Sequence, residues 1–113
     1  MTQIQKCGTK YDQDKRRWDL LPYGAIEEIV QVFEYGAAKY GEGNWRLGFQ
    51  KSRLFSATMR HLLADWRGKY ADPESGLPHL AHAACNILFM LDLFMEGERK
   101  MALGEDIPLH AKD

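Results

Sequence analysis

The stretch Ser75-Gly-Leu-Pro-His79-Leu-Ala-His82-Ala-Ala-Cys-Asn86 runs directly into Ile-Leu-Phe-Met-Leu-Asp-Leu-Phe, and it constrains the fold more than any other part of the chain. Gly76 and Pro78 open a helix, because proline is tolerated in a first turn. The later part of that helix is apolar almost all round, so it must be covered on more than one side. Its first turns nevertheless carry two imidazoles and an amide. At 3.6 residues per turn, His79, His82 and Asn86 lie within roughly 60° of one another on one face. Buried polar groups need partners. Either the three share one, a metal ion or a bound ligand, or each is satisfied separately by backbone or by a neighbouring carboxylate.

The chain has 113 residues, enough for one domain with a core but little room for a deep enclosed pocket. Fifteen Lys+Arg stand against sixteen Asp+Glu, so no bulk nucleic-acid footprint is expected. The longest uninterrupted apolar run, Ile87 to Leu91, is five residues and too short to span a bilayer. The polar stretch Met1 to Asp14 does not read as a signal peptide. Cys7 and Cys85 sit in unlike settings, which argues against a disulfide framework and for a reducing, cytoplasmic compartment.

Periodicity predicts an all-α domain over 1–113, a compact bundle of three main helices with irregular polar segments at both ends. The first helix is expected from about Pro22 to Tyr40, with Ala25, Ile26, Ile29, Val30, Phe33, Gly36, Ala37 and Tyr40 as its apolar stripe and Gly41 as its stop. The second is expected from Ser52, as N-cap, to Arg67, with Phe55, Met59, Leu62, Leu63 and Trp66 as its core face. The third is expected from Pro78 to Glu96, ended by Gly97. So much apolar helix exceeds what one small chain covers, which predicts a homo-oligomer formed through the third helix.

Polar residues on the first two helices complement the third. Glu27, Gln31 and Glu34 flank one edge of the first apolar stripe, and Glu28, Tyr35 and Lys39 the other. A carboxylate in such a place turns inward to a metal or outward to water. On the second helix Leu54, Thr58, His61 and Asp65 share a stripe beside the expected core face; His61 and Asp65, four residues apart, can hydrogen-bond and fix an imidazole tautomer. Arg53, Arg60 and Arg67 form a row that is either solvated or, at Arg60, turned to phosphate. Oxygen and nitrogen donors on facing helices are how bundles hold divalent metals. Carboxylates suit Mg²⁺, and imidazoles move the preference toward Mn²⁺ or a later transition ion.

Two connecting segments mix cations with aromatics: Lys10 to Pro22, with Trp18, and Lys39-Tyr-Gly-Glu-Gly-Asn44-Trp45-Arg46. Aromatic faces stack bases, cations meet phosphate, and glycine lets backbone approach a ligand. The competing reading is that Trp18 and Trp45 cap the open end of a small core.

The blocks Lys10-Tyr-Asp…Lys15…Arg17-Trp-Asp-Leu-Leu-Pro22, Tyr35-Gly-Ala-Ala-Lys-Tyr-Gly-Glu-Gly-Asn-Trp45, Arg60-His61-Leu-Leu and Asp72-Pro-Glu-Ser-Gly-Leu-Pro-His-Leu-Ala-His-Ala-Ala-Cys-Asn86 resemble the dATP/dGTP diphosphohydrolase N-terminal family, found largely in phages and similar to the MazG-like all-α nucleotide pyrophosphohydrolases. The resemblance covers about residues 8 to 95. It implies hydrolysis of a (deoxy)purine triphosphate to monophosphate and pyrophosphate with Mg²⁺ or Mn²⁺, adjusting a nucleotide pool during phage infection, in the host cytoplasm. The wider MazG-like pattern places E-x-x-E on one helix and E-x-x-D on a later one. Here the first pair could only be Gln31-x-x-Glu34 or Glu27-Glu28, and the second position holds His79-x-x-His82. On this reading Glu28, Asp65, His79 and His82, or a subset, hold the metal. Glu28, Asp65 and His61 are the catalytic candidates; Lys39 and Arg60 neutralise phosphate; and Trp18, Asn44, Trp45 and Asn86 hold the rest of the nucleotide. Two other readings stay open: a phage protein that sequesters a nucleotide immune signal without turnover, and a purely structural helical oligomer. Neither a membrane nor a nucleic acid is an expected partner.

Overall fold

A computed structural model describes residues 8–11, 13–48 and 50–102. It is all-α: helices α1 (Tyr23–Tyr40), α2 (Lys51–Trp66) and α3 (His79–Ala102), with short 3₁₀ turns at Trp18–Leu20 and Asn44–Leu47. Among the described residues, extended pairing is confined to one isolated bridge between Ala71 and Pro78. Cys7, and with it the expectation about disulfides, lies outside the described residues.

Helix α3 is the central element, packed on both α2 and α1. Val32 of α1 meets Ala81 and Cys85 of α3 in a buried cluster, with Ile29, Phe33, Leu77 and Phe89 packed around it. Phe33 and Phe89 meet edge to face at 5.1 Å, a favoured aromatic geometry. Helix α1 starts after Pro22, whose fixed φ suits a helix entry, and stops at Gly41, which at φ +95° donates its N–H to the Ala37 carbonyl at 2.8 Å. The inward side of α1 is turned from the expected stripe: Val32 is buried, while Ala25, Val30 and Tyr40 are exposed.

Three expectations are corrected. Helix α2 begins at Lys51 with Gln50 at its N-cap, not at Ser52; the Gln50 carbonyl accepts the first helical N–H groups, from Arg53 and Leu54. Helix α3 does not end at Gly97 but passes through it to Ala102, the last described residue. A glycine inside a helix costs only about 1 kcal/mol relative to alanine. Here the turn is supported by Glu96, which pairs with Arg99 at 2.7 Å and Lys100 at 3.8 Å.

The third correction concerns which way α2 faces. The side turned into the molecule is Leu54, Thr58 and His61, with Leu54 and Thr58 buried and His61 partly so. Thr58 satisfies its hydroxyl by donating to the Leu54 carbonyl at 2.7 Å. The large residues expected in the core, Phe55, Met59, Leu62, Leu63 and Trp66, are 37–86% exposed. On α3, Leu80, Ile87, Leu88, Leu91, Phe94 and Met95 are exposed as well. By length and composition alone His79–Lys100 is apolar enough to cross a membrane, which a count of uninterrupted apolar runs does not reveal. The same composition belongs to a helix with more than one apolar face to cover.

Candidate functional site

The chemistry-bearing residues gather where the α2–α3 connection folds back on the start of α3. Asp72 Oδ1 accepts the N–H groups of Glu74 at 2.9 Å and Ser75 at 3.0 Å, the side-chain turn typical of Asp in a tight loop. Gly76 closes this turn at φ +75°, where a side chain would be strained, and donates to the Asp72 carbonyl at 2.7 Å. The loop is then stitched to the helix it precedes: Asp72 N–H meets the Leu77 carbonyl at 2.8 Å, and His79 N–H the Tyr70 carbonyl at 2.9 Å. Sequence local to residues 70–79 thus places the Asp72 carboxylate beside the first residue of α3.

His61 reaches the same place from α2. Its Nδ1 lies 2.8 Å from Nδ1 of the buried His79, so one ring nitrogen donates and the other accepts. Ligand atoms of His61, His79 and Asp72 all lie within 4.8 Å of one another. His82, one turn into α3, stacks on His61 with centroids 4.7 Å apart and planes 10° from parallel. Its Nε2 is hydrogen-bonded to Ser75 Oγ at 2.6 Å, and that oxygen also accepts the Leu77 N–H at 3.1 Å. Burial pushes the His61 imidazole below its ordinary value, reinforced by the charges of His82 and His79. Burial does the same to His82, partly offset by Asp72. Partial burial works to raise Asp72, but the amides of Ser75 and Glu74 outweigh it and hold the carboxyl below its usual range.

A pocket of about 730 Å³ opens in front of the histidines, within the range of small-molecule sites. Its lining includes His61 of α2, Asp72 of the connection, His82 and Asn86 of α3, Tyr35 and Lys39 of α1, and Asn44 and Trp45 of the turn that follows α1; Tyr35 and His82 meet edge to face at 6.2 Å. Trp45 stacks on Phe89 at 5.0 Å, and the glycines around it, Gly41 and Gly43, are also in the lining. At the rim, Glu74 pairs with Lys39 and, beside the Tyr35 phenol, pushes its pKa upward. The pocket is acidic: Glu34, Glu42, Asp72 and Glu74 face it against Lys39 as the one lysine or arginine among the described lining residues.

Of the residues singled out from sequence, Lys39, Asn44, Trp45, His61, His82 and Asn86 line this pocket, and His79 stands behind His61. Trp18, Arg60, Glu28 and Asp65 are not in the lining. Trp18 is 71% exposed in its turn, and Arg60 lies on the solvated side of α2 with Arg53 and Arg67. The expected pairing of His61 with Asp65 is replaced by the His61–His79 contact, because α2 turns His61 toward α3. Sequence reasoning missed Asp72, Ser75, Tyr35 and Glu74 as site residues. Asp72 and Ser75 were legible only as turn formers, and Tyr35 only as the flank of a stripe. Of the acidic candidates on α1, Glu34 is in the lining.

Over 83 residues, 74% of this chain, the sequence is 39% identical to a protein of Salmonella phage PMBT28 named dATP/dGTP diphosphohydrolase. The aligned region is 28% of that protein's length, so the chain corresponds to little more than a quarter of it. No solved structure matches the chain. The family described as "dATP/dGTP diphosphohydrolase, N-terminal" matches residues 5–102, nearly the whole of the helical domain and all of the pocket, and the chain belongs to that family.

Proposed function

We propose that the pocket binds a (deoxy)purine nucleoside triphosphate and hydrolyses it to the monophosphate and pyrophosphate with a divalent metal ion. The observation that carries this reading is the composition of one pocket: histidines with a carboxylate, and an aromatic, an amide and a lysine, in a single lining. The phage relative's name, dATP/dGTP diphosphohydrolase, supports the purine and the reaction.

The acidity of the pocket bears on the metal. Among the described lining residues four carboxylates face one lysine, a balance that favours a triphosphate arriving with cations. The donor set fits such an ion: His61, His79 and Asp72 would hold it. When bound, a divalent ion neutralises phosphate charge and lowers the pKa of water. The chain's own groups do the rest. Lys39 leaves Glu74 for the phosphates. Trp45 and Asn44 hold base and sugar, and Asn86 offers an amide from α3. Phe33, Phe89 and Trp45 make an apolar floor that limits water. The reaction joins a water oxygen to phosphorus, with in-line departure of pyrophosphate. Glu28, Asp65, Trp18 and Arg60 have no part in this reading.

The functional unit in this reading is a homo-oligomer, with a second copy covering the exposed apolar residues of α2 and α3. In an infected cell it would act on the purine nucleotide pool of the host cytoplasm.

The test is to incubate the purified chain with each purine triphosphate and Mn²⁺, following nucleotide retention and pyrophosphate release together. Release supports the hydrolase. Retention without release replaces it with a sequestering protein, and neither outcome leaves only a structural role. Trp45→Ala should weaken purine binding by about 1–3 kcal/mol, the usual size of base–aromatic stacking, with helicity unchanged by circular dichroism; lost helicity would return Trp45 to a core-capping role.

A further inference from the structure

We propose that His61, His79 and Asp72 form a single-ion centre selective for a transition dication, Mn²⁺ through Zn²⁺, over Mg²⁺. The proposal deepens the hydrolase reading, on which it rests for the use made of the ion, though not for its binding.

The donor atoms decide the class. Mg²⁺ demands near-octahedral oxygen coordination and keeps most of its water. Two imidazoles and one carboxylate are instead a donor set for Mn²⁺, Co²⁺, Ni²⁺ or Zn²⁺, with affinity rising along that row from Mn²⁺ to Ni²⁺. A carboxylate-only site would need acidic side chains clustered together. The pocket's other acids do not offer one: Glu74 is engaged by Lys39, and among the described residues Asp72 alone of the pocket's acids joins a cluster of ligand atoms within 4.8 Å of one another.

The centre is also built in advance. His79 is 7% exposed and its backbone N–H is tied to Tyr70. Asp72 has Oδ1 fixed by two amides, so the carboxylate is oriented by its own turn, as metal-binding carboxylates commonly are. His61 is held between the rings of His79 and His82. His82 itself stands outside the three residues whose ligand atoms lie within 4.8 Å of one another; its Nε2 bonds Ser75, and it positions His61 by stacking. Ion binding replaces the proton shared between His61 Nδ1 and His79 Nδ1. This divides the two histidines of the His79-x-x-His82 pair into one ligand and one support.

Direct binding, without nucleotide, tests the centre. The intact chain is titrated with Co²⁺, Mn²⁺ and Mg²⁺ by calorimetry, and Co²⁺ is also followed by its visible absorption. The expected result is one Co²⁺ per chain, bound at least about a hundredfold more tightly than Mg²⁺, with a visible band stronger than that of the aqueous ion. His61→Asn, His79→Asn and Asp72→Asn should each weaken Co²⁺ by at least about tenfold, whereas Glu28→Gln and Asp65→Asn should not. Equal affinity for Mg²⁺ and Co²⁺, an unchanged Co²⁺ spectrum, or a loss confined to the Glu28 and Asp65 variants would overturn the proposal. If a histidine variant fails to fold, the unmodified chain's ion preference and spectrum still decide. Tight Co²⁺ binding without pyrophosphate release upholds the centre and removes the hydrolase reading. Mg²⁺-driven release without Co²⁺ binding does the reverse.

Discussion

Helix α2 carries two stripes side by side. One, Leu54, Thr58 and His61, is modest in size and partly polar, and it is the one turned into the molecule. The other, Phe55, Met59, Leu62, Leu63 and Trp66, holds the bulk of the helix's apolar surface and is exposed. Helix α3 repeats the contrast: Ala81, Ala83 and Cys85 are buried while Ile87, Leu91 and Phe94 are not. Ala81 and Cys85 pack with Val32 of α1, and between α2 and α3 the ring nitrogens of His61 and His79 come within 2.8 Å. The large outward residues are of the kind that cover a second protein surface. The inner faces of this pair hold the site, and the outer faces carry the exposed apolar surface that the proposed second copy would cover.

The largest expected effect tests the outer face. If a second copy covers Leu91, Leu91→Glu should convert the assembly to monomers or unfold it, since an unpaired charge in a packed apolar interface costs roughly several kcal/mol. Light scattering checks it, and a monodisperse monomer for the unmodified chain would remove the contrast altogether. On the inner side, Cys85→Ser places a hydroxyl where a thiol is 3% exposed and so buried that its pKa is pushed up to about 12. Such a hydroxyl should cost about 1–3 kcal/mol in urea unfolding; no loss would mean that the inner face is looser than described.

Acid sharpens the comparison further. The folded-state pKa values of His61 and His82 are depressed, so the unfolded chain takes up protons first as pH falls. In metal-free protein their contribution to stability should be complete above about 6.5. It should decline as pH drops from there through the depressed values. The depressed Asp72 adds a second, lower window, lost below the ordinary carboxylate range. Urea midpoints across the pH series test both, and a midpoint that rises on acidification from pH 7 to 5.5 would contradict the buried-imidazole account. The smallest effect belongs to the rim. Glu74→Gln removes an exposed ion pair with Lys39, and the thermal midpoint should stay where it is; a clear drop would make the rim part of the structural core.

The helices of this fold were legible because their periodicity is strong, and so was the stripe of His79, His82 and Asn86. The facing of α2 was not. Two adjacent stripes both satisfy a 3.6-residue period, and the larger apolar one attracts the assignment; only the packing of α2 on α3, where His61 meets His79, selects the other. Trp45 and Lys39 were found because glycine, aromatic and cation coincide near a helix end. Trp18 has a similar composition but no element that carries it to the pocket. Asp72 was invisible as a site residue for a different reason. An Asp-Pro turn is explained by its own backbone, and nothing local announces that the fold also sets it beside two imidazoles.

The stitching of residues 70–79 bears on the order in which the molecule assembles. Tyr70 and His79 close a short loop, so joining α2 to α3 costs little chain entropy. Bringing α1 onto α3 requires closing a much longer one. On this hypothesis the α2–α3 hairpin, with His61, Asp72 and His79 in it, forms as an early local unit, and Lys39 and Trp45 arrive with α1 afterwards. Pulsed hydrogen exchange during refolding should then protect the amides of α2 and α3 before those of α1; simultaneous protection would contradict that order. The histidines and Asp72 would be assembled before the pocket that contains them is complete.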